Sequence, residues 1–195
     1  MIERVPPQNI EAEQAVIGGM LIEKEAISKV AEFLKADDFY REAHRLIFEA
    51  MLELFNKNEA VDLVTVTEVL RKNDKLEAVG GIAYITSLAN SVPTAANINY
   101  HGKIVEEKAL LRGLINSATH IASMGYEDTE AVADIIDKAE KMILEVSERK
   151  MSGDFVPIKS IIFDAFGKIE QLYASKGGIT GLATGFKDLD KITSG

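Results

Sequence analysis

Three histidines, adjacent carboxylates such as Asp37-Asp38 and Glu106-Glu107, and a glycine-rich run near the carboxy end are the residues of this chain that could do chemistry. A metal site needs ligands that converge at helical spacing, or thiolates. His44, His101 and His120 have no ligand partner at i+3 or i+4, and the chain has no cysteine. His44, set between Arg41 and Arg45 on a helix with one apolar face, reads as a solvated histidine. His120, beside Thr119, reads as equally plain. General acid–base catalysis needs carboxyls placed across a cleft with their pKa values pushed apart. Asp37-Asp38 and Glu106-Glu107 are neighbours on helix caps or surfaces and do not meet that need. The sequence predicts no catalytic, cofactor-binding or metal-binding residue of its own.

The glycine run asks for the same test. A phosphate-binding loop needs Gly-x-x-x-x-Gly-Lys-Ser/Thr, because backbone N–H groups and the lysine cradle the phosphates. Gly177, Gly178, Gly181, Gly185 and Gly195 supply glycines, but Gly-Lys-Ser and Gly-Lys-Thr occur nowhere in the chain. These residues therefore cannot bind and hydrolyse ATP by that route. Thr184-Gly185-Phe186 with Leu189-Asp190 is nevertheless similar to the lead-in to the core of RecA-type ATPases. The expectation is a region that stands in front of a motor and lacks the motor itself.

The elements that carry these residues read as helices throughout. Pro6-Pro7 forces an extended lead-in. Asn9 caps a helix to about Met20, in which Gly18-Gly19 either permits a close helix–helix approach or ends the helix. Ala26 to Leu34 fits a short second helix, after which Asp37-Asp38 supplies a cap. Phe39, Ala43, Leu46, Ile47, Ala50, Met51, Leu54 and Phe55 form a broad apolar stripe, the mark of a core helix. Residues 62–67 are rich in β-branched side chains, which suits a strand. Leu63, Val66, Val69 and Leu70 keep helical phase, and helix is the favoured reading. Gly80-Gly81 is a turn or start signal for a helix that ends near Val92-Pro93.

From about Asn97 the apolar spacing becomes heptad-like, with Ile104, Leu111 and Ala118, then Leu114 and Ile121. Gly125 should end this long helix, and Asp128 or Thr129 should start the next. Val132, Ile135, Ile136, Ala139, Met142, Ile143 and Val146 give the second helix a continuous stripe. So short a connection implies an antiparallel helical hairpin. Two amphipathic helices alone bury too little surface to be stable. Pairing with a second copy would cover the excess, and folding back on the first domain is the alternative. Residues 150–157 read as a linker. A lone amphipathic helix at about Lys159 to Tyr173 follows, suited to docking in a groove through Ile162, Phe163, Phe166 and Ile169.

The domain plan is thus all-α: a helical globule at 1–100, a hairpin at 101–150, a linker with its helix at 151–178, and the start of a further domain at 179–195. The net charge is −9, made up of −5 over residues 1–104, −4 over 105–150 and 0 over 151–195. Gripping a phosphate backbone draws on clustered Lys and Arg, so the first 150 residues carry the wrong sign for it. No signal peptide is visible, no apolar run is long enough to span a bilayer, and the lack of cysteine fits the cytoplasm.

One resemblance joins these parts. Pro6-Pro7-Gln8-Asn9-Ile10-Glu11-Ala12-Glu13-Gln14-Ala15-Val16-Ile17-Gly18-Gly19 carries most of it. Asp38-Phe39-Tyr40, Ala43-His44, Ile47-Phe48, residues 61–66 and residues 92–97 support it. Over essentially its whole length the chain resembles the amino-terminal region of DnaB-type bacterial replicative DNA helicases. The resemblance implies globules and hairpins that pair into the collar of a hexameric ring, with Ile104, Leu111, Leu114, Ala118, Ile135, Ala139 and Met142 in hairpin packing. It implies primase as a partner, with Tyr84, Ile115 and Ile121 as candidate contacts and the core as the alternative place for each of them. A helicase loader is a further implied partner. The linker helix would dock on a neighbouring motor. Beyond Thr184, Gly185, Phe186, Leu189 and Asp190, a motor using ATP and Mg²⁺ would walk on single-stranded DNA in the cytoplasm, at the nucleoid. The competing readings are a stand-alone replication adaptor, which has no use for the 184–190 motif, and a RecA-like ATPase of the circadian-clock or recombination type, in which the Pro-Pro-Gln-Asn opening is not expected.

Overall fold

Asn9 starts the central helix: its Oδ1 accepts from the Ala12 N–H at 3.0 Å, satisfying one of the orphan donors of the first turn. The computed structural model describes residues 5–127 and 131–151 and, beyond them, Ile158, Ile162, residues 165–167, Glu170, Gly185 and Phe186. The helices are α1 (Ile10–Ile22), α2 (Ala26–Ala31), α3 (Glu42–Asn56), α4 (Leu63–Lys72), α5 (Gly81–Ser91), α6 (Ile98–Glu127) and α7 (Val132–Met151), with a 3-10 turn at Ala36–Asp38. No strand occurs among the described residues. Residues 1–153 form one compact unit and 154–195 another.

From Ala15 to Leu21 α1 is apolar on every side, the pattern of a helix enclosed by others. Val16, Ile17 and Met20 are fully buried, and α1 packs against α3, α5 and α6. The glycine pair does not end it. A Cβ on Gly18 would meet the Leu88 carbonyl oxygen and lie 2.7 Å from Val92 Cγ2, so α5 approaches to backbone distance and only glycine fits. α3 contributes Ile47, Phe48, Met51 and Leu54 to the core, with Phe48 packed on Phe39 at 4.8 Å between ring centroids.

Residues 62–67 are helical from Leu63 onward. The Asp62 carboxylate accepts from the Val64 and Thr65 N–H groups at 2.9 and 3.0 Å, and Thr65 Oγ1 accepts from the Asp62 N–H at 3.0 Å. This reciprocal cap, with Val66 and Leu70 buried, outweighs the strand preference of the β-branched residues.

Three local expectations are corrected. Asp38 does not cap α3: it is buried and accepts from the Lys35 N–H at 2.7 Å, closing the 3-10 turn. The short second helix stops at Ala31, although the Leu34 N–H still bonds the Val30 carbonyl at 2.8 Å. Gly125 does not end α6, which runs to Glu127. Residues 128–130, including the expected start of the next helix at Asp128 or Thr129, lie outside the described residues, and α7 is helical from Val132. α6 is about 45 Å long at ~1.5 Å per residue. Its first part is core, with Ile98 and Val105 buried, so the globule extends past residue 100. Its second part pairs with α7.

The hydrogen bond from the Thr65 backbone, opposed by burial and aided by the Thr65 side chain and the Val64 backbone, holds the Asp62 carboxyl below its ordinary value. A lowered folded-state pKa stabilises at neutral pH, and that contribution is lost as pH falls through the folded value. Asp62→Ala should cost about 1 kcal/mol at pH 7 in urea unfolding. The difference from wild type should shrink below the unfolded aspartate pKa of about 3.9. A penalty independent of pH would refute the ionised cap.

Candidate interaction surfaces and the polar hub beneath them

Glu13 is buried on α1, yet its carboxylate is fully engaged. Oε1 accepts from the Tyr40 N–H at 2.7 Å; Oε2 accepts from the Arg41 N–H at 3.4 Å and lies 2.6 Å from His44 Nδ1. Arg41 occupies the N-cap position of α3 and makes no side-chain cap. Glu13 thus serves from another helix the start of α3, which has no cap of its own. His44 is the plainest departure from expectation: it is not solvated but 0% exposed. Its Nε2 lies 2.8 Å from the Tyr84 hydroxyl, whose oxygen also accepts from Arg41 Nη1 at 3.0 Å. In the neutral ring Nδ1–H donates to the carboxylate and Nε2 accepts from the Tyr84 O–H. The chain of contacts ties α1, α3 and α5 together.

Arg112 on α6 reaches the same corner. Nη1 donates to the Pro7 carbonyl at 2.8 Å, Nη2 donates to the Asp38 carbonyl, and the guanidinium stands 5.8 Å from the Tyr40 ring centroid. Burial pushes the Arg112 pKa down from its ordinary value, and attraction to Glu13 opposes that shift. Neither Glu13 nor Arg112 announces itself by local spacing. A lone arginine inside Leu110-Leu111-Arg112-Gly113-Leu114 is the only signal, since a cation in an apolar run has to find a partner.

On the hairpin, Leu110, Leu111 and Leu114 of α6 line a groove of about 530 Å³ with Ile143 and Val146 of α7. Leu111 and Leu114 remain 44% and 43% exposed. Ile136 and Leu144 are also exposed on α7. Half-buried residues mark the seam: Leu110, Gly113, Ser117 and Ile121 on α6, Ile135, Ala139, Met142 and Val146 on α7. Ile104 lies elsewhere, packed against the globular core, and Ala118 is exposed. The heptad spacing overlooked Leu110, Gly113 and Ser117 because the phase of α6 is set first by the globule.

Tyr84 sits on α5 of the globule, half-buried, with its hydroxyl held internally, whereas Ile115 and Ile121 lie on the hairpin and Ile115 is exposed. In the second unit, Ile158, Ile162, residues 165–167 and Glu170 are helical. Ile158, Ile162 and Phe166, four residues apart in sequence, are exposed. Phe163 and Ile169 lie outside the described residues, as do Thr184, Leu189 and Asp190. Gly185 takes a positive φ of 89°, and Phe186 is exposed. No helix among the described residues is long and apolar enough to cross a membrane.

The family model described as "DnaB-like helicase N terminal domain" matches residues 5–107, the globule up to the root of the hairpin. The chain belongs to this family. As a DnaB-like N-terminal domain it is 52% identical over 193 residues to the replicative DNA helicase DnaC of Bacillus subtilis and 49% identical to the replicative DNA helicase DnaB of Geobacillus stearothermophilus. Each alignment covers 99% of this chain and 42% of the relative, so the chain spans less than half the length of these helicases. The crystal structure of the N-terminal domain of DnaB helicase from Mycobacterium tuberculosis superposes with a TM-score of 0.70 at 43% identity, over 72% of this chain and 99% of that one. A DnaB-like replicative helicase, solved in a study of its interactions with primase, superposes with a TM-score of 0.65 at 29% identity, over 94% of this chain and 41% of that one.

Removing the charge of Glu13 leaves His44 and the α3 amides facing a group that accepts less well. Weakening the hydrogen bonds to a buried charged group costs about 1–3 kcal/mol. Glu13→Gln should lower stability by that order in urea unfolding, and its effect should be non-additive with His44→Ala by about 1–3 kcal/mol. Additive losses would show that the two side chains are not energetically joined.

Proposed function

We propose that this chain is the scaffold and recruiting region of a hexameric, ATP-dependent replicative DNA helicase. It pairs with copies of itself through the hairpin and presents a surface to primase. The observation that carries the reading is the apolar groove along α6 and α7, whose Leu111, Leu114 and Ile143 side chains are exposed on an element the globule does not cover. Packing such surface against a second copy is how a two-helix arm gains the burial it lacks alone. Family membership and the helicase relatives support the same reading.

Primase comes to this chain from the related helicase whose interactions with it were studied. Ile115 and Ile121 on the arm, and the ring of Tyr84 on the globule, are the proposed contacts. Apolar and aromatic anchors carry most of such interfaces. A loader is a further proposed partner, and the exposed Ile158, Ile162 and Phe166 face is proposed to dock on a neighbouring motor. ATP and Mg²⁺ do not fit the residues present: with no Gly-Lys-Ser/Thr in the chain, no nucleotide step is assigned to them. Single-stranded DNA is likewise proposed to be held by the motor, and the cytoplasm, at the nucleoid, is the proposed location.

Light scattering at micromolar concentration should find dimers or larger species. Leu114→Glu with Ile143→Glu should give monomers of unchanged helicity, because both side chains are exposed and outside the core. A wild-type chain that stays strictly monomeric would sink the pairing. The purified chain should also show no ATP hydrolysis, and turnover above background would overturn its assignment as a scaffold without a motor site.

A further inference from the structure

Arg41 stands exposed at the start of α3. Its Nη1 donates to the Tyr84 hydroxyl at 3.0 Å. That hydroxyl is itself held from the interior, because His44 Nε2 lies 2.8 Å away and Glu13 fixes the other side of the His44 ring at 2.6 Å. The Tyr84 and His44 rings are parallel, with 3° between their planes. Gly80, at a positive φ of 92°, brings the backbone ahead of α5 up to the tyrosine: a Cβ there would lie 3.0 Å from Tyr84 Cβ. Buried groups thus set the place of the ring, and the ring's hydroxyl sets the place of the guanidinium.

Arg41 has no acid of its own. The carboxylates nearest in sequence are spent elsewhere: Arg45 pairs with Glu42 and lies 3.7 Å from Asp37 Oδ1. Glu13 gives its oxygens to the Tyr40 and Arg41 amides and to His44. Among the described residues no carboxylate oxygen lies within 4.0 Å of the Arg41 guanidinium, whereas exposed Arg71 pairs with Glu68 at 2.6 Å. The hub does not need the Arg41 side chain either. Without it, Tyr84 keeps its bond to His44 and the Arg41 amide keeps its bond to Glu13. One nitrogen of a planar fork is pinned, and no described group accepts from Nε or Nη2.

We propose that Arg41 is a specificity-determining contact for primase: an acidic side chain of the partner lands on the free edge of Arg41 while an apolar group covers the Tyr84 ring. This rests on the reading of Tyr84 as a primase contact. A carboxylate can take two parallel N–H bonds from such an edge, a geometry that lysine cannot offer. The Tyr84 hydroxyl holds the fork in advance, which lowers the ordering cost of the encounter. In a chain of net charge −9, a cation so placed also selects among partners by sign.

The test is the affinity of the full chain for purified primase from the same organism. Arg41→Met should bind about tenfold more weakly, as for an interface arginine that carries binding energy. It should also lose part of the salt dependence of the unaltered chain, with little change in urea unfolding. Arg41→Lys should fall between the two, and carries the test if the Met variant does not fold. Arg71→Gln, which removes an exposed charge elsewhere, should bind normally. In a Tyr84→Phe background, where the guanidinium is no longer held, the loss from Arg41→Met should shrink. Tyr84→Ala separates this proposal from the reading beneath it. If Tyr84→Ala binds weakly and both Arg41 variants bind normally, the role of Arg41 is wrong and the Tyr84 contact stands. If Tyr84→Ala binds normally, the Tyr84 contact fails and this site with it. A loss in Arg71→Gln equal to that in Arg41→Met would overturn the proposal in favour of general attraction.

Discussion

Glu13 sits in the middle of the globule with both carboxylate oxygens engaged and almost no access to water, and the meeting of α1, α3 and α5 is built around that fact. A carboxylate stripped of water costs several kcal/mol, and strong charge-assisted hydrogen bonds from fixed donors offset that cost. Here the donors are the Tyr40 and Arg41 amides and the His44 ring. Satisfying them fixes where α3 starts relative to α1. His44 then passes the constraint to Tyr84 on α5, and the Leu88 carbonyl lying over Gly18 locks α5 directly to α1. The apolar core could tolerate alternative packings of these helices; the polar hub cannot.

The globule and the arm solve the problem of apolar surface in opposite ways. The globule encloses its own, with large side chains such as Phe48, Ile17 and Met51 shut away from solvent. The arm leaves leucines and isoleucines open along α6 and α7. A charge of −4 over residues 105–150 keeps such an arm hydrated without covering its groove. A region that organises copies and receives other proteins needs that division of labour, and it is consistent with the proposed scaffold role in a DnaB-like protein.

What the sequence made legible was local. Asn9 sits immediately before helical phase begins and forms the expected cap, and Asp62, in the stretch readable as strand or helix, holds the same place before α4. The Gly18-Gly19 pair allowed either close approach or a helix end, and only the fold chose between them, whereas the all-helical architecture followed from periodicity. What it hid was long-range. His44 and Glu13 are 31 residues apart, and nothing near His44 records that its helix turns that face inward. Arg112 and Pro7 are 105 residues apart. Ile104 keeps step with Leu111 and Ala118, yet it meets the globule, because one helix serves two different neighbours and only the fold says where one hands over to the other.

That sharing has a dynamic consequence. Backbone amides of one continuous helix ordinarily exchange with solvent as a single cooperative block, but α6 is anchored over one stretch and bare over the next. Its early turns can open only with the whole globule, whereas its outer turns need only the separation of two thinly packed helices. Deuterium uptake along α6 should therefore change regime in the turns after Val105, dividing one unbroken helix between two folding units.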